Sequence, residues 1–246
     1  MKKYVFAGAS SRARYMFAEA MKKDFAHLTK MVGVYDSNFE RAKLFAEDVG
    51  GFPAYEDFDE MLKETKPDAV IITTIDAYHH DYIIKSMEAG CDAITEKPMT
   101  IDAEKCNAIL EAEKRTGKRV IVTFNYRFIP FITKIKEIIK SGHIGEILSV
   151  DFEWMLDKNM DIMAHGTSYF RRWNRYMNKS GGLLVHKSTH HFDLVNWWID
   201  DEPLEVFAFG DLKVYGKNGK FRGENCRNCH YTKECYFYLD IKDDKL

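Results

Sequence analysis

Apolar positions in the first half of the chain come in two alternating kinds. Short continuous runs recur: residues 3–8, 29–35, 69–73, 92–95 and 119–122, each closed by Gly, Asp or another polar residue. Runs of this kind predict strands covered on both faces. Between them apolar residues recur at helical spacing: after Gly8 with Tyr15, Phe17 and Ala18, then with Ala42, Leu44 and Phe45, then over about 78–89 up to Gly90, and over about 102–115 before Gly117. Ser37 or Asn38 is the candidate cap of the second helix. Strand alternating with helix predicts a doubly wound parallel sheet of the α/β class.

The rhythm changes after Asn125. Residues 128–141 read as a helix, 147–155 and 204–215 as alternating strands with one covered face, and Gly181-Gly182 opens a helix to about Ile199. The polar segment 157–180, rich in Arg and Met, has no strong period and is long for a plain connection, which marks it as a functional loop. The expected division is 1–122 for the parallel-sheet domain and 123–246 for a second, incomplete α+β domain with an open, mostly antiparallel sheet. Two strands rarely make an independently stable sheet, so the chain reads as a piece of a longer protein.

Composition removes several function classes. The 246 residues are 46% apolar and 30% charged, as in globular proteins. Lys and Arg number 36 against 38 Asp and Glu, a net charge of −2, which gives no electrostatic case for nucleic acid or an anionic membrane as partner. No apolar run approaches the roughly 18–20 residues of a membrane span. The start, MKKYVFAGAS, reads as a first strand and not as a signal peptide, so a cytoplasmic protein is expected. Five cysteines, an odd number, do not suit a secreted disulfide framework.

Three places carry candidate chemistry. Gly8-Ala9-Ser10-Ser11-Arg12-Ala13 sits where a strand turns into a helix. Gly8 and Ala13 obey the dinucleotide fingerprint and Ser10 departs from it, while the helix start still offers N–H groups to phosphate. Asp36 closes the second strand, where a carboxylate suits ribose hydroxyls and repels a 2′-phosphate, so NAD is favoured over NADP. Glu96-Lys97-Pro98 follows a buried strand, and a lysine there faces the crevice in which open parallel sheets bind ligands. The third place is the run from Gly181-Gly182 through His186, Lys187, His190, His191 and Asp193. On one regular helix His186, His190, Asp193 and Trp197 would share a face, a plausible proton-handling site. A metal pair or hydrogen-bonded core histidines are the competing readings. Cys226, Cys229 and Cys235, beside His230, have the spacing of a structural zinc site, against the plain reading of reduced thiols.

These residues together resemble the glucose-fructose oxidoreductase/inositol dehydrogenase (Gfo/Idh/MocA) family. The resemblance runs through the Gly8 turn, Asp36, Thr74 to His79, Glu96-Lys97-Pro98, Phe124-Asn125-Tyr126-Arg127 and Gly181-Gly182 to Leu194. It implies a Rossmann domain followed by an open antiparallel α/β domain, and NAD(P)-dependent hydride transfer at a secondary alcohol carbon of a sugar, cyclitol or sugar derivative. Lys97 matches the family's lysine between substrate and nicotinamide, and His190 its proton-transferring histidine. Thr74, Asp76 and His79 match the stretch that lines the cofactor, joined by Ser10, Ser11, Arg12, Glu96 and Asn125. Tyr126, Arg127, Lys187 and the loop residues Tyr169, Arg171 and Arg172 are candidates for holding substrate. The family's aspartate one turn before the histidine is replaced by His186, which implies either a coupled His186–His190 pair or more proton work for Lys97 or Lys187. Two alternatives stay open: an NAD-dependent glycosidase that oxidises transiently and eliminates, and an inactive NAD-binding relative. A small-molecule substrate and a homo-oligomer are the expected partners.

Overall fold

The computed structural model describes residues 1–154, 172–212, 218–221, 223–235, 238 and 240. By backbone contacts the chain divides into two compact units, Met1–Asp201 and Glu202–Leu246.

The first unit is built on six strands: β1 (Lys2–Ala7), β2 (Thr29–Tyr35), β3 (Ala54–Tyr55), β4 (Ala69–Ile72), β5 (Asp92–Glu96) and β6 (Val120–Thr123). They form one parallel sheet in the order β3-β2-β1-β4-β5-β6. Successive side chains on a strand point to opposite faces. Accordingly Val5 and Ala7 of β1 enter one core layer and Phe6 enters the other. The first layer joins Val70, Ile72 and Ala93 to Phe58, Met61 and Leu62 of α3 (Phe58–Thr65), Ile83 and Met87 of α4 (His79–Glu88), and Ile109 and Ala112 of α5 (Ala103–Thr116). The second joins Val34 and Ile71 to Ala42, Phe45, Ala46 and Val49 of α2 (Phe39–Val49), and to Ala13 and Ala18. Each buried large apolar side chain contributes about 1.5–3 kcal/mol. That double covering is why these strands lack polar alternation.

The first helix opens at Ser11, widens into a π-helical turn over Ala13–Ala18 and ends as α1 (Glu19–Lys23). Asn38, rather than Ser37, caps α2, its side-chain oxygen accepting from the Arg41 N–H at 3.2 Å. The sequence pattern does not announce β3 and α3. A two-residue strand has no period, and α3 is marked only by its cap Asp57, which accepts from the Glu60 N–H at 2.7 Å.

Beyond β6 come α6 (Pro130–Lys140), α7 (Met177–Ser180), a widened turn over Leu184–Ser188, and α8 (Thr189–Ile199). Lys136 of α6 is buried and closes the end of α8: its ammonium donates to the carbonyls of Trp197 (2.5 Å) and Trp198 (3.2 Å) and pairs with Asp200 (2.6 Å). The expected strands at 147–155 and 204–215 differ from what is seen, since residues 147–154 and 204–212 join no ladder. A strand exists only with a neighbour to bond, and these segments have none among the described residues. Several of their apolar side chains stand in the open, Leu148 at 90% and Leu204 at 99% exposure, while Phe152 packs against Trp198. Among the described residues no helix is long and apolar enough to cross a membrane.

Candidate active site

Parallel strands deliver their carboxyl ends to one edge, and most of the cofactor candidates stand there. Gly8 follows β1, Asp36 follows β2, Thr74 lies just beyond β4, Glu96 and Lys97 end β5, and Asn125 lies just beyond β6. Gly8 has φ +98°, and a Cβ there would sit 3.0 Å from the backbone carbonyl of Thr73. Only glycine fits. Ser10 departs from the fingerprint without blocking it: its hydroxyl accepts from the Ala13 N–H at 3.1 Å and so turns toward the helix it caps. Ser11 and Arg12 open that helix with exposed side chains, and Arg12 lies 3.7 Å from the Glu96 carboxylate. Asp36 is buried and accepts from the Ala9 and Asn38 N–H groups and from Arg41. Burial works against its charge, yet Arg41 and the two N–H groups hold its carboxyl below the usual range.

In the stretch after β4, expected to line a cofactor mostly through backbone groups, the side chains of Asp76 and His79 are buried. His79 is fully enclosed, its ring nitrogens 2.9 Å from the Pro98 carbonyl and 3.2 Å from the Thr74 carbonyl. Burial lowers its pKa, and as a neutral ring it donates its single N–H to one of these carbonyls. Asp76 is also buried, and its carboxylate meets His186 Nδ1 at 2.5 Å.

That contact changes the reading of the histidine run. His186 lies in the widened turn Leu184–Ser188, and His190 in the regular helix after it. The extra width breaks the one-face register expected of residues four apart. The His186 ring faces Asp76 on one side and the Asn174 amide, 3.1 Å from Nε2, on the other, with Trp173 edge-on at 5.4 Å. The carboxylate missing one turn before His190 is therefore present on another element, and it serves His186. His190 stacks flat on Tyr126, ring centroids 3.9 Å apart, with Phe124 edge-on. Its Nδ1 is buried with no hydrogen-bond partner among the described residues.

Lys97 joins the two halves of the site. It is 8% exposed and donates to the His186 carbonyl at 2.7 Å. Burial pushes its pKa down to about 8, Asp76 and Glu96 working against the fall and Lys187 and Arg12 adding to it. Burial, then the charges of Lys97 and Lys187, take His190 down to about 3. Lys187 is itself buried and donates to the Tyr126 hydroxyl at 2.6 Å. His190 is thus a neutral imidazole that feels the charge of both ammonium groups.

Other candidates are placed elsewhere. Arg127 grips Asp193 through two hydrogen bonds, Nε at 2.8 Å and Nη2 on the other oxygen, and lies over the Trp197 ring, so its fork is committed within the fold. Arg172 is exposed, and Tyr169 and Arg171 lie outside the described residues. The sequence reading missed Asn174 as the partner of His186, and Asp193 as the partner of Arg127. Neither pair carries a local spacing signal, because 12 and 66 positions separate the partners. Cys226, Cys229 and Cys235 are free thiols, and among the described residues no group of three His, Cys, Asp or Glu stands where it could hold a metal ion.

A positive-φ glycine cradle, an open helix start and an acid closing β2 fit a dinucleotide along the sheet's carboxyl edge. Comparison with known proteins agrees. Residues 2–124 match the profile of the Gfo/Idh/MocA oxidoreductase family, NAD-binding Rossmann fold, and residues 136–242 that of its C-terminal alpha/beta domain. The chain belongs to the Gfo/Idh/MocA family. It is similar to the YteT protein of Bacillus subtilis, 42% identical over 267 residues, covering 100% of this chain and 61% of that protein. It is also similar to glucose-6-phosphate 3-dehydrogenase of the same organism, at 24% over 266 residues, covering 100% and 73%. The WlbA dehydrogenase of Bordetella pertussis, solved with NADH and UDP-GlcNAcA, shares the fold at TM-score 0.68 and 20% identity, covering 80% of this chain and 55% of that one. This Gfo/Idh/MocA chain therefore spans about three fifths of the length of YteT.

Proposed function

We propose that the protein of which this chain is part or whole is an NAD(P)-dependent dehydrogenase, NAD favoured, acting on a secondary alcohol carbon of a sugar, cyclitol or sugar derivative. One observation carries this reading. Lys97 from the end of β5 donates to the His186 carbonyl on the helical segment that bears His190, and its charge is felt by that imidazole. The named relatives are an oxidoreductase and two dehydrogenases, which support the reading and lend nothing to the glycosidase or inactive alternatives. Residues 1–122 would hold the nucleotide and 123–246 the substrate, in a cytoplasmic homo-oligomer.

Oxidising an alcohol needs a hydride acceptor and a base for the hydroxyl proton. When bound, the nicotinamide supplies the acceptor. Gly8, the helix start at Ser11–Arg12 and Asp36 would hold the dinucleotide, with Thr74 and Asn125 along its path. Lys97 faces the reacting oxygen. With a pKa of about 8 it exchanges a proton near neutrality, which His190 at about 3 does not. His190 stays neutral beside it. Asp76 favours the charged form of Lys97 and orients His186, whose carbonyl fixes the ammonium. Tyr126 and Lys187 form the wall beside His190 and are the remaining substrate contacts of the described residues.

The test is NAD binding, followed by a screen of sugars, sugar acids and cyclitols at two pH values. Net NADH accumulation with one of them supports the dehydrogenase. Aglycone release without net NADH would establish the glycosidase, and NAD binding with no turnover on any substrate would establish the inactive relative.

A further inference from the structure

Two consecutive residues of the widened turn Leu184–Ser188 each fix a polar group from the parallel-sheet side. The His186 carbonyl receives the Lys97 ammonium at 2.7 Å, and the next side chain, Lys187, donates to the Tyr126 hydroxyl at 2.6 Å. Lys187 is 3% exposed, and its ammonium also lies 5.0 Å from the centroid of the Tyr126 ring. Tyr126 is half-buried in the short turn after β6, and its ring stacks on His190 within 4° of parallel at 3.9 Å. An ammonium has three N–H donors and no lone pair, so in this bond the phenolic oxygen accepts. The O–H of Tyr126 is therefore directed away from Lys187, as a donor. A hydrogen bond received from a cation polarises that O–H and strengthens what it donates.

We propose that Tyr126 is a further catalytic residue: its hydroxyl, polarised by Lys187, donates to the reacting oxygen of the substrate and stabilises the negative charge that develops there. Lys187 is its positioning residue. This rests on the dehydrogenase reading and deepens it. In alcohol oxidation the hydroxyl proton passes to the Lys97 amine, the C–H hydride to the oxidised nicotinamide, and the oxygen lone pair closes the C=O bond. Tyr126 keeps its own proton throughout and contributes a hydrogen bond that strengthens as the oxygen becomes an alkoxide. His190 is neutral and brings no charge of its own, while the cations that hold it so, Lys97 and Lys187 first, favour an anion beside it. The stack on His190 sets the plane of the phenol, and Lys187 sets the direction of its hydroxyl.

The test uses the full chain, a substrate found in the screen, and three variants: Tyr126→Phe, Lys187→Met and the two combined. Thermal melts establish that each is folded, and Tyr126→Phe keeps the ring that packs on His190. On the high-pH plateau kcat falls about 10²–10³-fold in Tyr126→Phe, the usual effect of removing one such donor, while KM and the NAD dissociation constant stay within about twofold. Lys187→Met lowers kcat by about tenfold or more, and the combined variant is no worse than Tyr126→Phe, because Lys187 acts through Tyr126. A second readout needs no turnover. Burial, Asp76, Lys187, Glu96 and Arg12 together set the charge of Lys97, so the midpoint for its competitive acetylation moves up from about 8 in Lys187→Met and stays in place in Tyr126→Phe. An unchanged kcat in Tyr126→Phe overturns the proposal. A loss confined to KM, and to acidic sugars, overturns it too and makes the pair a clamp for a substrate carboxylate. Additive losses, or an unmoved Lys97 midpoint in Lys187→Met, overturn the part given to Lys187. A parent that turns over no substrate refutes the dehydrogenase reading and this role together, whereas turnover that ignores residue 126 refutes this role alone.

Discussion

Replacing Asp76 with Asn removes one buried negative charge and almost no volume. Two consequences follow from the geometry. The bond from His186 Nδ1, 2.5 Å in the parent, becomes one to a neutral amide oxygen, a loss of about 1 kcal/mol relative to a charge-assisted bond. Lys97 loses the first of the charges that support its ammonium, while burial, Lys187 and Arg12 still oppose it. Loss of that opposite charge takes the Lys97 pKa further below about 8. The amine is then free of its proton at lower pH, and the pH midpoint for alcohol oxidation shifts down by the same amount. Single-turnover hydride transfer across pH reads this through activity. Competitive acetylation of Lys97 across pH, read by mass spectrometry, reads it without activity. The melting temperature should drop about 2–4 °C per kcal/mol lost. Midpoints that stay in place in both assays would refute the assignment of Asp76 as the group that sets the charge of Lys97.

Four further outcomes are expected. In the parent, oxidation rises with pH through about 8 and levels off above it, because the base is the unprotonated Lys97. Lys97→Met removes that limb, and a limb persisting near neutrality would hand the proton to another group. The same lysine sits below its ordinary 10.5 in the fold, so between about 8 and 10.5 the unfolded chain holds a proton that the native chain does not. The Lys97 contribution to stability therefore rises with pH in that window, and urea titrations should show the parent gaining on Lys97→Met across it. Gly8→Ala forces a Cβ to 3.0 Å from the Thr73 carbonyl at φ +98°, costing about 1–3 kcal/mol and abolishing dinucleotide binding by calorimetry. Arg127→Ala strands the nearly buried Asp193 carboxylate, so stability drops by about 3 kcal/mol in denaturant while NAD affinity holds. A large change in substrate KM with stability intact would restore Arg127 to the substrate site.

The parallel sheet was legible because its strands are buried on both faces, and an unbroken apolar run as short as Ala69–Ile72, bounded by polar residues, suits a doubly covered strand and little else. Gly8 and Asp36 were legible for a related reason: a backbone turn and a strand end restrict residue type locally. Lys97 and His190 could be picked out through family resemblance, but their electrostatic states could not. Whether an amine titrates near 8 or near 10.5 depends on what lies over it, and Asp76, Glu96, Lys187 and Arg12 come from four separate parts of the chain.

What the sequence determined by itself was periodicity, caps and special residues, which act over a few positions and so fix the elements and the nucleotide edge. Tertiary structure alone decided the partnerships. A single widened turn at Leu184–Ser188 rotated His186 out of register with His190 and delivered it to Asp76, 110 residues away. It also decided that Arg127 would hold Asp193 rather than face a ligand. Contacts of that separation are set by how layers pack against each other, and no local pattern of residues encodes the angle at which two layers meet.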